Sequence, residues 1–395
     1  MSAMARVADV ADQIRGVTYA KQDASRAPRD GYLPVLRAGN ISDQGLVFDD
    51  LVFVPAARIN AKQRIRQNDV VIAASSGSLD VVGKAARALN DFAGGFGAFC
   101  KVLRPRSHVD PGYFGHFFQT REYRQRVSAL AAGANINNLR NEHLDEMLIP
   151  LPPLPEQRRI AAILDKADAL RAKRRAAIAK LDELTQSIFL DMFGDPIANP
   201  RGFPTRPMID LVDRARPISY GILMPGPDQS IGINYVRVVD MQDGGINLSG
   251  IRKTTVQISK NFRRSLLKTG DLLMSIRGHV GRFAVVPAEL DGANITQDTA
   301  RLSVTGADSV FVRECLRTQG FQYWMRQRTK GVAVRGINLG DVKIMPIITP
   351  SATEQEQFAR TVRKIEQLRQ RAGTALKESK SLFASLQQRA FRGEL

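Results

Sequence analysis

The sequence predicts an α+β protein. Two mixed α/β modules are separated by two long helices that pack as an antiparallel coiled coil, and a pseudo-twofold internal repeat relates the halves. Three observations predict this. Segments recur at a near-constant offset: Arg15-Gly16-Val17-Thr18-Tyr19 returns as Arg216-Pro217-Ile218-Ser219-Tyr220, and Pro34-Val35-Leu36-Arg37-Ala38-Gly39-Asn40 returns as Asn234-Tyr235-Val236-Arg237-Val238-Val239-Asp240. Each half reaches a proline hinge followed by a long heptad-patterned helix. With 395 residues and 44% hydrophobic content, the chain is long enough for more than one core.

Within each half the elements follow in the same order. Val70-Val71-Ile72-Ala73 and Leu272-Leu273-Met274-Ser275 are apolar runs that predict buried strands, each preceded by a turn Asp, Asp69 or Asp271. Gly94-Gly95-Phe96-Gly97 and Asp243-Gly244-Gly245 predict hairpin turns or loops. The stretches from Tyr113 to Ala131 and from Val310 to Arg328 predict helices with aromatic anchors. The hinges are Ile149-Pro150-Leu151-Pro152-Pro153-Leu154-Pro155 and Met345-Pro346-Ile347-Ile348-Thr349-Pro350.

The long helices carry the clearest periodicity. In the first, Ile160, Ile163, Ala167, Leu170, Arg174, Ala177, Leu181, Leu184 and Ile188 alternate by three and four. In the second, Phe358, Val362, Ile365, Arg369, Ala372, Leu376, Ser379, Phe383, Leu386 and Ala390 follow the same rhythm. Each seam has one Arg near its middle. A lone seam of this length cannot bury itself, so the two helices are expected to pack on each other. A helix of about 36 residues spans about 54 Å, enough for a rigid spacer. Pro155 and Glu156 suit a helix start, and Gly194-Asp195-Pro196 suits its end.

Charge narrows the partners. The chain has 57 Lys and Arg against 39 Asp and Glu, a formal net charge of +18, which implies a polyanionic partner such as DNA, RNA or an acidic membrane surface. No uncharged apolar run approaches the ~18 residues of a membrane span. The N-terminus lacks a signal-peptide core. Only Cys100 and Cys315 are present, which fits a reducing, cytoplasmic setting. A nucleic acid is therefore the leading partner.

The hinge Pro150-Leu151-Pro152-Pro153-Leu154-Pro155-Glu156-Gln157-Arg158-Arg159-Ile160, with the heptad helix behind it, resembles the central conserved region of type I restriction–modification specificity subunits. Phe193-Gly194-Asp195-Pro196 with Asn199-Pro200-Arg201-Gly202-Phe203 resembles the junction into their second target-recognition domain, although Phe203 stands where that pattern has Trp. Ala390-Phe391-Arg392-Gly393-Glu394-Leu395 resembles their C-terminus. The resemblance covers the whole chain. It implies target-recognition domain 1 over 1–150, a central conserved helix over 151–195, target-recognition domain 2 over 196–350 and a C-terminal conserved helix over 351–395. It further implies that each recognition domain reads one part of a bipartite, asymmetric site in double-stranded DNA. The helices would set the spacing and dock methyltransferase (modification) subunits, two being expected. Those partners, not this chain, would bind S-adenosylmethionine and methylate adenine; motor–nuclease (restriction) subunits join in some systems. The helix positions expected to carry docking and coiled-coil packing are Ile160, Ile163, Leu170, Leu181, Leu184, Ile188, Phe358, Val362, Ile365, Leu376, Phe383 and Leu386.

The residues themselves agree that no catalysis is expected. The only Pro-Pro, Pro152-Pro153, is flanked by leucines and not by the groups that hold a flipped base. Gly77-Ser78-Leu79-Asp80-Val81-Val82-Gly83-Lys84-Ala85 has one residue too many for a phosphate loop, and Ala85 stands where a Mg²⁺-binding hydroxyl is needed. The histidines and cysteines lack ligand spacing, so neither a metal nor a cofactor is expected. A basic scaffold that binds partners through its helices, without reading sequence, is the alternative function.

The repeat locates candidate DNA-binding residues in matching loops, where Lys and Arg can neutralise phosphates and polar side chains can read base edges. Ser75-Ser76-Gly77-Ser78 aligns with Ile276-Arg277-Gly278-His279, and Gly83-Lys84 with Gly281-Arg282. A second pair of loops offers Asn135 and Arg140 in the first half, Lys330 and Arg335 in the second. The candidates are Ser75, Ser76, Ser78, Lys84, Asn135, Arg140, Arg277, His279, Arg282, Lys330 and Arg335, with Arg277 the foremost for guanine. Asn138 and Asn338 suit either capping or contact. Tyr19 and Tyr220 suit the core better than stacking. Lys173, Arg174 and Arg175 suit a solvated face, a partner or DNA.

Overall fold

The computed structural model describes residues 3–131, 137–242, 244–331 and 335–395. The chain forms two compact units, Met1–Ala176 with Gly373–Leu395 and Ala177–Ala372. In the first, strands β1 (Ala3–Arg6), β2 (Ala11–Arg15), β3 (Tyr32–Leu36), β4 (Val52–Pro55), β5 (Val70–Ala73), β6 (Ala85–Arg87), β7 (Gly95–Phe96) and β8 (Cys100–Pro105) precede helices α1 (Pro111–Phe117) and α2 (Arg121–Ala131). Strand β9 (Leu148–Leu151) then leads into the long helix α3 (Leu154–Phe193). The main sheet has the antiparallel order β2-β8-β5-β6. A smaller sheet, β7-β3-β4, joins β7 parallel to β3, and β1 closes antiparallel on β9 with Ala3 opposite Leu151.

The uninterrupted apolar run of β5 is explained by its surroundings. Side chains alternate across a strand. Val70 and Ile72 pack among Leu103, Tyr113 and Phe114, while Val71 and Ala73 pack among Phe96, Cys100 and Val102. Both faces are buried, so no polar alternation can appear.

The second unit repeats this topology with β10 (Thr205–Pro207), β11 (Ser219–Tyr220), β12 (Ile233–Val236), β13 (Arg252–Thr254), β14 (Leu272–Ser275), β15 (Phe283–Val285), β16 (Asn294–Ile295) and β17 (Thr299–Leu302). Helices α4 (Ser309–Arg317) and α5 (Gln319–Arg328), strand β18 (Pro346–Ile348) and the long helix α6 (Ala352–Arg392) follow. Its sheets run β11-β17-β14-β15 and β13-β12-β16, with β12 parallel to β16, and β10 pairs with β18. The repeat in sequence is therefore a repeat of topology.

Two expectations need correction. The helices expected from Tyr113 and from Val310 are each broken in two. Thr120 Oγ1 donates to the Phe117 carbonyl (2.8 Å) and accepts from Tyr123 N–H (3.1 Å); Thr318 donates to Cys315 (2.9 Å) and accepts from Phe321 N–H. Each buried Thr ends one helix and caps the next. Gly95–Phe96 is a strand and not a turn. A Cβ at the neighbouring Gly94 would lie 2.2 Å from the Pro34 carbonyl oxygen, so glycine is what admits the close approach to β3. Gly244, in contrast, does sit in a hairpin turn between Met241–Gln242 and Gly245–Ile246, at φ +79°.

The Glu-Gln pair that opens both long helices has a physical role. Gln157 is buried; its Oε1 accepts from the N–H of Asp110 (2.9 Å) and its Nε2 donates to the Pro152 carbonyl (2.8 Å). Gln355 does the same with Asp308 N–H (3.0 Å) and the Pro350 carbonyl (2.8 Å). Asp110 and Asp308 are the N-caps of α1 and α4. Each Gln thus ties a proline hinge to the capped start of α1 or α4. Asp165 on α3 adds a hydrogen bond to His116 Nε2 (2.8 Å) and an ion pair with Arg87 (3.0 Å); both hold its carboxyl below the usual range.

The turn aspartates are buried ion-pair partners. Asp69 takes the Arg104 guanidinium at 2.8 Å through both oxygens, and Asp271 takes Arg216 at 2.8 and 2.6 Å. Each also accepts a backbone N–H, from Arg66 or Lys268. The same strand start is therefore held by arginines from different segments. Arg237 likewise pairs with Asp240 where Arg37 meets Asn40, so this recurring segment is a structural turn.

The two long helices are shared between the units. In the first unit, Ile160 and Leu164 of α3 pack with Phe383 and Ala390 of α6, Arg171 lies over the Phe383 ring (3.5 Å), and Arg174 donates to Ala375 O and Ser379 Oγ. In the second, Phe189 and Phe193 meet Phe358 edge-on at 5.4 and 5.6 Å, and Arg369 pairs with Asp182. Of the positions expected on the α6 seam, from Phe358 to Ala390, none is exposed, Leu376 and Leu386 included. The seam expected on α3 is rotated. Ile160 is buried and Ile163, Leu181 and Ile188 are half-buried, but Leu170 (44%) and Leu184 (45%) are exposed. The buried line runs through Ile160, Leu164, Thr185, Phe189 and Phe193, because the ends of α3 pack into the two cores. Both helices stop at a glycine with positive φ, Gly194 (+75°) and Gly393 (+74°).

Gln157→Ala and Gln355→Ala each orphan a buried N–H and a buried carbonyl. Each should lower stability by about 1–3 kcal/mol. Leu170→Ala, on the exposed line, should stay within about 0.5 kcal/mol of the parent. Chemical denaturation of the three variants checks both the clamp and the rotated seam.

Candidate nucleic-acid interface

In the first unit the chain leaves β5 at Ala74 and Ser75, whose N–H groups both donate to the Phe99 carbonyl (2.8 and 3.1 Å). It returns at Gly83, whose N–H donates to the Ala73 carbonyl (2.7 Å). Gly83 has φ +78°, and a Cβ there would lie 2.2 Å from Val127 Cγ1, so only glycine closes this loop. Arg124 on α2 braces the loop from beneath, donating to the carbonyls of Val82 (2.8 Å) and Asp80 (3.0 Å). The second expected loop lies alongside. Ser75 and Ser76 pair antiparallel with Asn138 and Asn137, and Leu139 N–H donates to the Ala74 carbonyl (2.7 Å).

The sequence-predicted residues of this unit are thus brought to one edge. Ser75 and Ser76 are half-buried in the pairing, Ser78 is exposed at the tip, Lys84 is half-buried at the return, and Arg140 is exposed. Asn135 lies outside the described residues. Lys101 was not foreseen. It is buried in β8, and its Nζ donates to the Leu139 carbonyl (2.7 Å). Burial pushes its ammonium down to about 8, against the pull of Asp145 and Glu142.

The second unit uses the same backbone frame. Ile276 and Arg277 N–H donate to the Asp298 carbonyl (2.8 and 3.3 Å), and Gly281 N–H returns to Ser275 (3.1 Å). Gly281 has φ +88°, and Gln322 on α5 donates to its carbonyl (3.1 Å), where Arg124 braces the first unit. Ile337 N–H donates to the Ile276 carbonyl (2.9 Å), Gly278 N–H to the Arg335 carbonyl (2.8 Å), and Lys330 and Gly336 exchange both backbone bonds. The second loop therefore lies against the first here too.

This bonding fixes a register one residue away from the sequence alignment. Ser75 corresponds to Arg277, since each donates to the carbonyl of the facing strand's start and each adjoins the residue that takes Leu139 or Ile337. Asn338 corresponds to Arg140 and not to Asn138. Its side chain accepts from Asp341 N–H (2.9 Å) and caps the short helix Leu339–Lys343, whereas Asn138 is exposed beside Ser75. Tyr19 is half-buried against the Val17, Val35 and Val52 cluster, but Tyr220 is 49% exposed, outside the core expected for it. Arg174 packs against α6, as above, while Lys173 is exposed.

Arg277, Lys330 and Asn338 line one cleft of about 620 Å³ with Gln297 and Asp298, and Arg277 Nη1 donates to Gln297 Oε1 (3.0 Å). Arg282 lies in a separate cleft of about 530 Å³ with Gln242, Phe283 and Arg317. His279 and Arg335 are exposed on the loops. Phe99, Gln297 and Asp298 were missed by sequence reasoning. Their signal was weak: each sits just ahead of a strand, and only the backbone pairing brings it beside the candidate loop. Among the described residues no group of three or more His, Cys, Asp or Glu is arranged to hold a metal, and both cysteines are buried and free.

Comparison with known proteins gives a consistent picture. Residues 3–180 match the family described as type I restriction modification DNA specificity domain. The StySPI type I restriction enzyme specificity subunit of Salmonella potsdam is 30% identical over 420 residues, covering 100% of this chain and 89% of that protein. The EcoKI specificity subunit of Escherichia coli K12 is 29% identical over 425 residues, covering 99% and 89%. In fold, the chain resembles the S subunit of a type I restriction–modification system from M. genitalium, with TM-score 0.56 and 13% identity over 98% of this chain and 96% of the other. A chain from a structure of a type I R-M system also matches, with TM-score 0.52 and 18% identity over 100% and 98%.

Lys101 supplies a pH test of the loop scaffold. Its folded value of about 8 lies below the ~10.4 of an unfolded lysine, so between those values the unfolded chain binds more protons and stability should rise with pH. Lys101→Met should flatten that rise. Stability measured from pH 7 to 10.5 in both proteins checks it.

Proposed function

The chain belongs to the type I restriction–modification specificity subunits, and from that membership we propose that each unit reads one part of a bipartite, asymmetric site in double-stranded DNA. The observation that carries this reading is one backbone frame bearing unlike side chains. Ser75 and Arg277 leave equivalent strands by the same hydrogen bonds yet present different chemistry. A reader of two different sequences in one geometry needs that arrangement. As a specificity subunit the chain recognises DNA and is not itself an enzyme.

Within this reading the residues divide by chemistry. Ser75, Ser76, Ser78, Arg277 and His279 lie where base edges would be read. Lys84, Arg140, Arg282, Lys330 and Arg335 supply phosphate contacts, in keeping with the net charge of +18. Asn135, which lies outside the described residues, is placed with the readers on its sequence alone. Recognition domains over 1–150 and 196–350, joined by helices over 151–195 and 351–395, are the division we propose. The helices act as an antiparallel coiled coil that sets the gap between half-sites. The contacts of α3 with α6 in each unit support this, as does the heptad seam of α6. Leu170 and Leu184, left exposed on α3, support docking of adenine-methyltransferase subunits, two per chain, which would carry S-adenosylmethionine. Restriction subunits join where the system has them. No described helix is long and apolar enough to cross a membrane, and we propose a cytoplasmic setting. A scaffold role without sequence reading is not favoured, since it needs no divergence between matched loops.

Co-expression with the cognate methyltransferase subunit, followed by single-molecule methylome sequencing, tests the reading. Adenine methylation at one split motif is expected; an assembled complex that yields no split motif would contradict it. Binding should also weaken steeply with salt, with log K falling by about 0.9 per phosphate contact. Lys84→Ala and Arg282→Ala should each reduce that slope by about one contact without changing the motif.

A further inference from the structure

We propose that the cleft between the two loops of the second unit reads a G·C base pair, with Arg277 on the guanine, Asp298 on the cytosine and Gln297 positioning Arg277. This rests on the DNA-reading function proposed above and names the chemistry of one of its sites. Arg277 is exposed, and the side-chain bond recorded for it goes to a neutral amide, Gln297 Oε1 at 3.0 Å. Three arginines of this unit are paired with acids, Arg216 with Asp271, Arg237 with Asp240 and Arg313 with Glu314, while Arg301 is bound by two backbone carbonyls. Arg277 thus keeps donors for a ligand, and its direction is set by the amide.

Asp298 lines the same cleft. Its backbone carbonyl accepts from Ile276 and Arg277 N–H, which fixes it at the foot of the loop, and among the described residues its carboxylate makes no ion pair or side-chain hydrogen bond. A carboxylate on a DNA-facing surface is repelled by phosphates. It is useful there only against a donor. In the major groove, cytosine offers its N4 amino group as a donor, while guanine beside it offers O6 and N7 as acceptors. A guanidinium and a carboxylate in one cleft match that edge, whereas a phosphate would be attracted by the first and repelled by the second.

The first unit supplies an internal contrast. The backbone places Ser75 where Arg277 stands and Phe99 where Asp298 stands, since Phe99 O accepts from Ala74 and Ser75 N–H. Phe99 is 68% exposed. That position is apolar and uncharged, suited to a thymine methyl and not to a G·C edge. The same frame therefore carries opposite chemistry at the same place.

The test uses the full chain assembled with its methyltransferase. The methylome gives the parent motif, and competition binding with duplexes that vary each base pair gives the penalty at each position. Phe99→Ala identifies the half read by the first unit. The other half should contain one G·C pair whose replacement costs about 5- to 150-fold in affinity. Arg277→Ala should erase most of that penalty, Gln297→Ala part of it, and Asp298→Asn should weaken preference at that same position. All other positions and the whole first half should be unchanged. Three results would overturn the assignment: a second half with no required G·C pair, an Arg277→Ala that leaves every preference intact, or one that weakens all sequences equally, as a phosphate contact would. A parent complex that methylates no split motif would overturn the underlying function as well, and the two failures are thereby told apart.

Discussion

The structure depends on keeping two proline hinges in one conformation, and a buried glutamine does this in each unit. Gln157 and Gln355 each take an N–H from the capping aspartate of a domain helix and give an N–H to a hinge carbonyl. Proline has no N–H to donate, so the backbone pairing of β9 with β1 and of β18 with β10 is supplemented at Pro152 and Pro350 by a side chain. With the hinge tied, the start of each long helix is fixed on its own unit, and in the first unit Asp165 adds contacts further along. Loss of this tie would leave the sheets intact and the direction of the helix undetermined.

On that frame sits a second constraint, the loop between equivalent strands. Its root is fixed by glycines at positive φ, Gly83 and Gly281, and by a brace from the following helix, Arg124 or Gln322. The far end of the strand that carries it starts at a buried aspartate, Asp69 or Asp271, held by an arginine from a different segment in each unit. The backbone geometry is thus maintained by unlike side chains beneath, while unlike side chains above, Ser75 and Phe99 or Arg277 and Asp298, are free to differ. In the proposed reading support and recognition are separate, so that one fold could hold two specificities.

Much of this was legible in the residues. Apolar runs such as Val70–Ala73 are buried on both faces and announce central strands. The offset repeat announces the duplicated topology, and the expected α6 positions from Phe358 to Ala390 are all buried or half-buried. What was hidden has identifiable physics. The seam of α3 rotates because its ends serve two cores, so Leu170 and Leu184 face solvent despite their spacing. Thr120 and Thr318 break helices through side-chain bonds that look helical in pattern. The loops align one residue off because register is fixed by pairing across distant segments, with Ala74 against Leu139 and Ile276 against Ile337. Phe99, Gln297 and Asp298 enter the site only through that pairing, and Lys101 only through its reach to Leu139.

The central claim is that each unit is an independent reader on a common frame. Replacing residues 196–350 with a second copy of 1–150, in the chain assembled with its methyltransferase, and sequencing the methylome tests it most directly. The account predicts a split motif in which both halves carry the bases formerly read by the first unit alone. An assembled complex that keeps the parental asymmetric motif would contradict it.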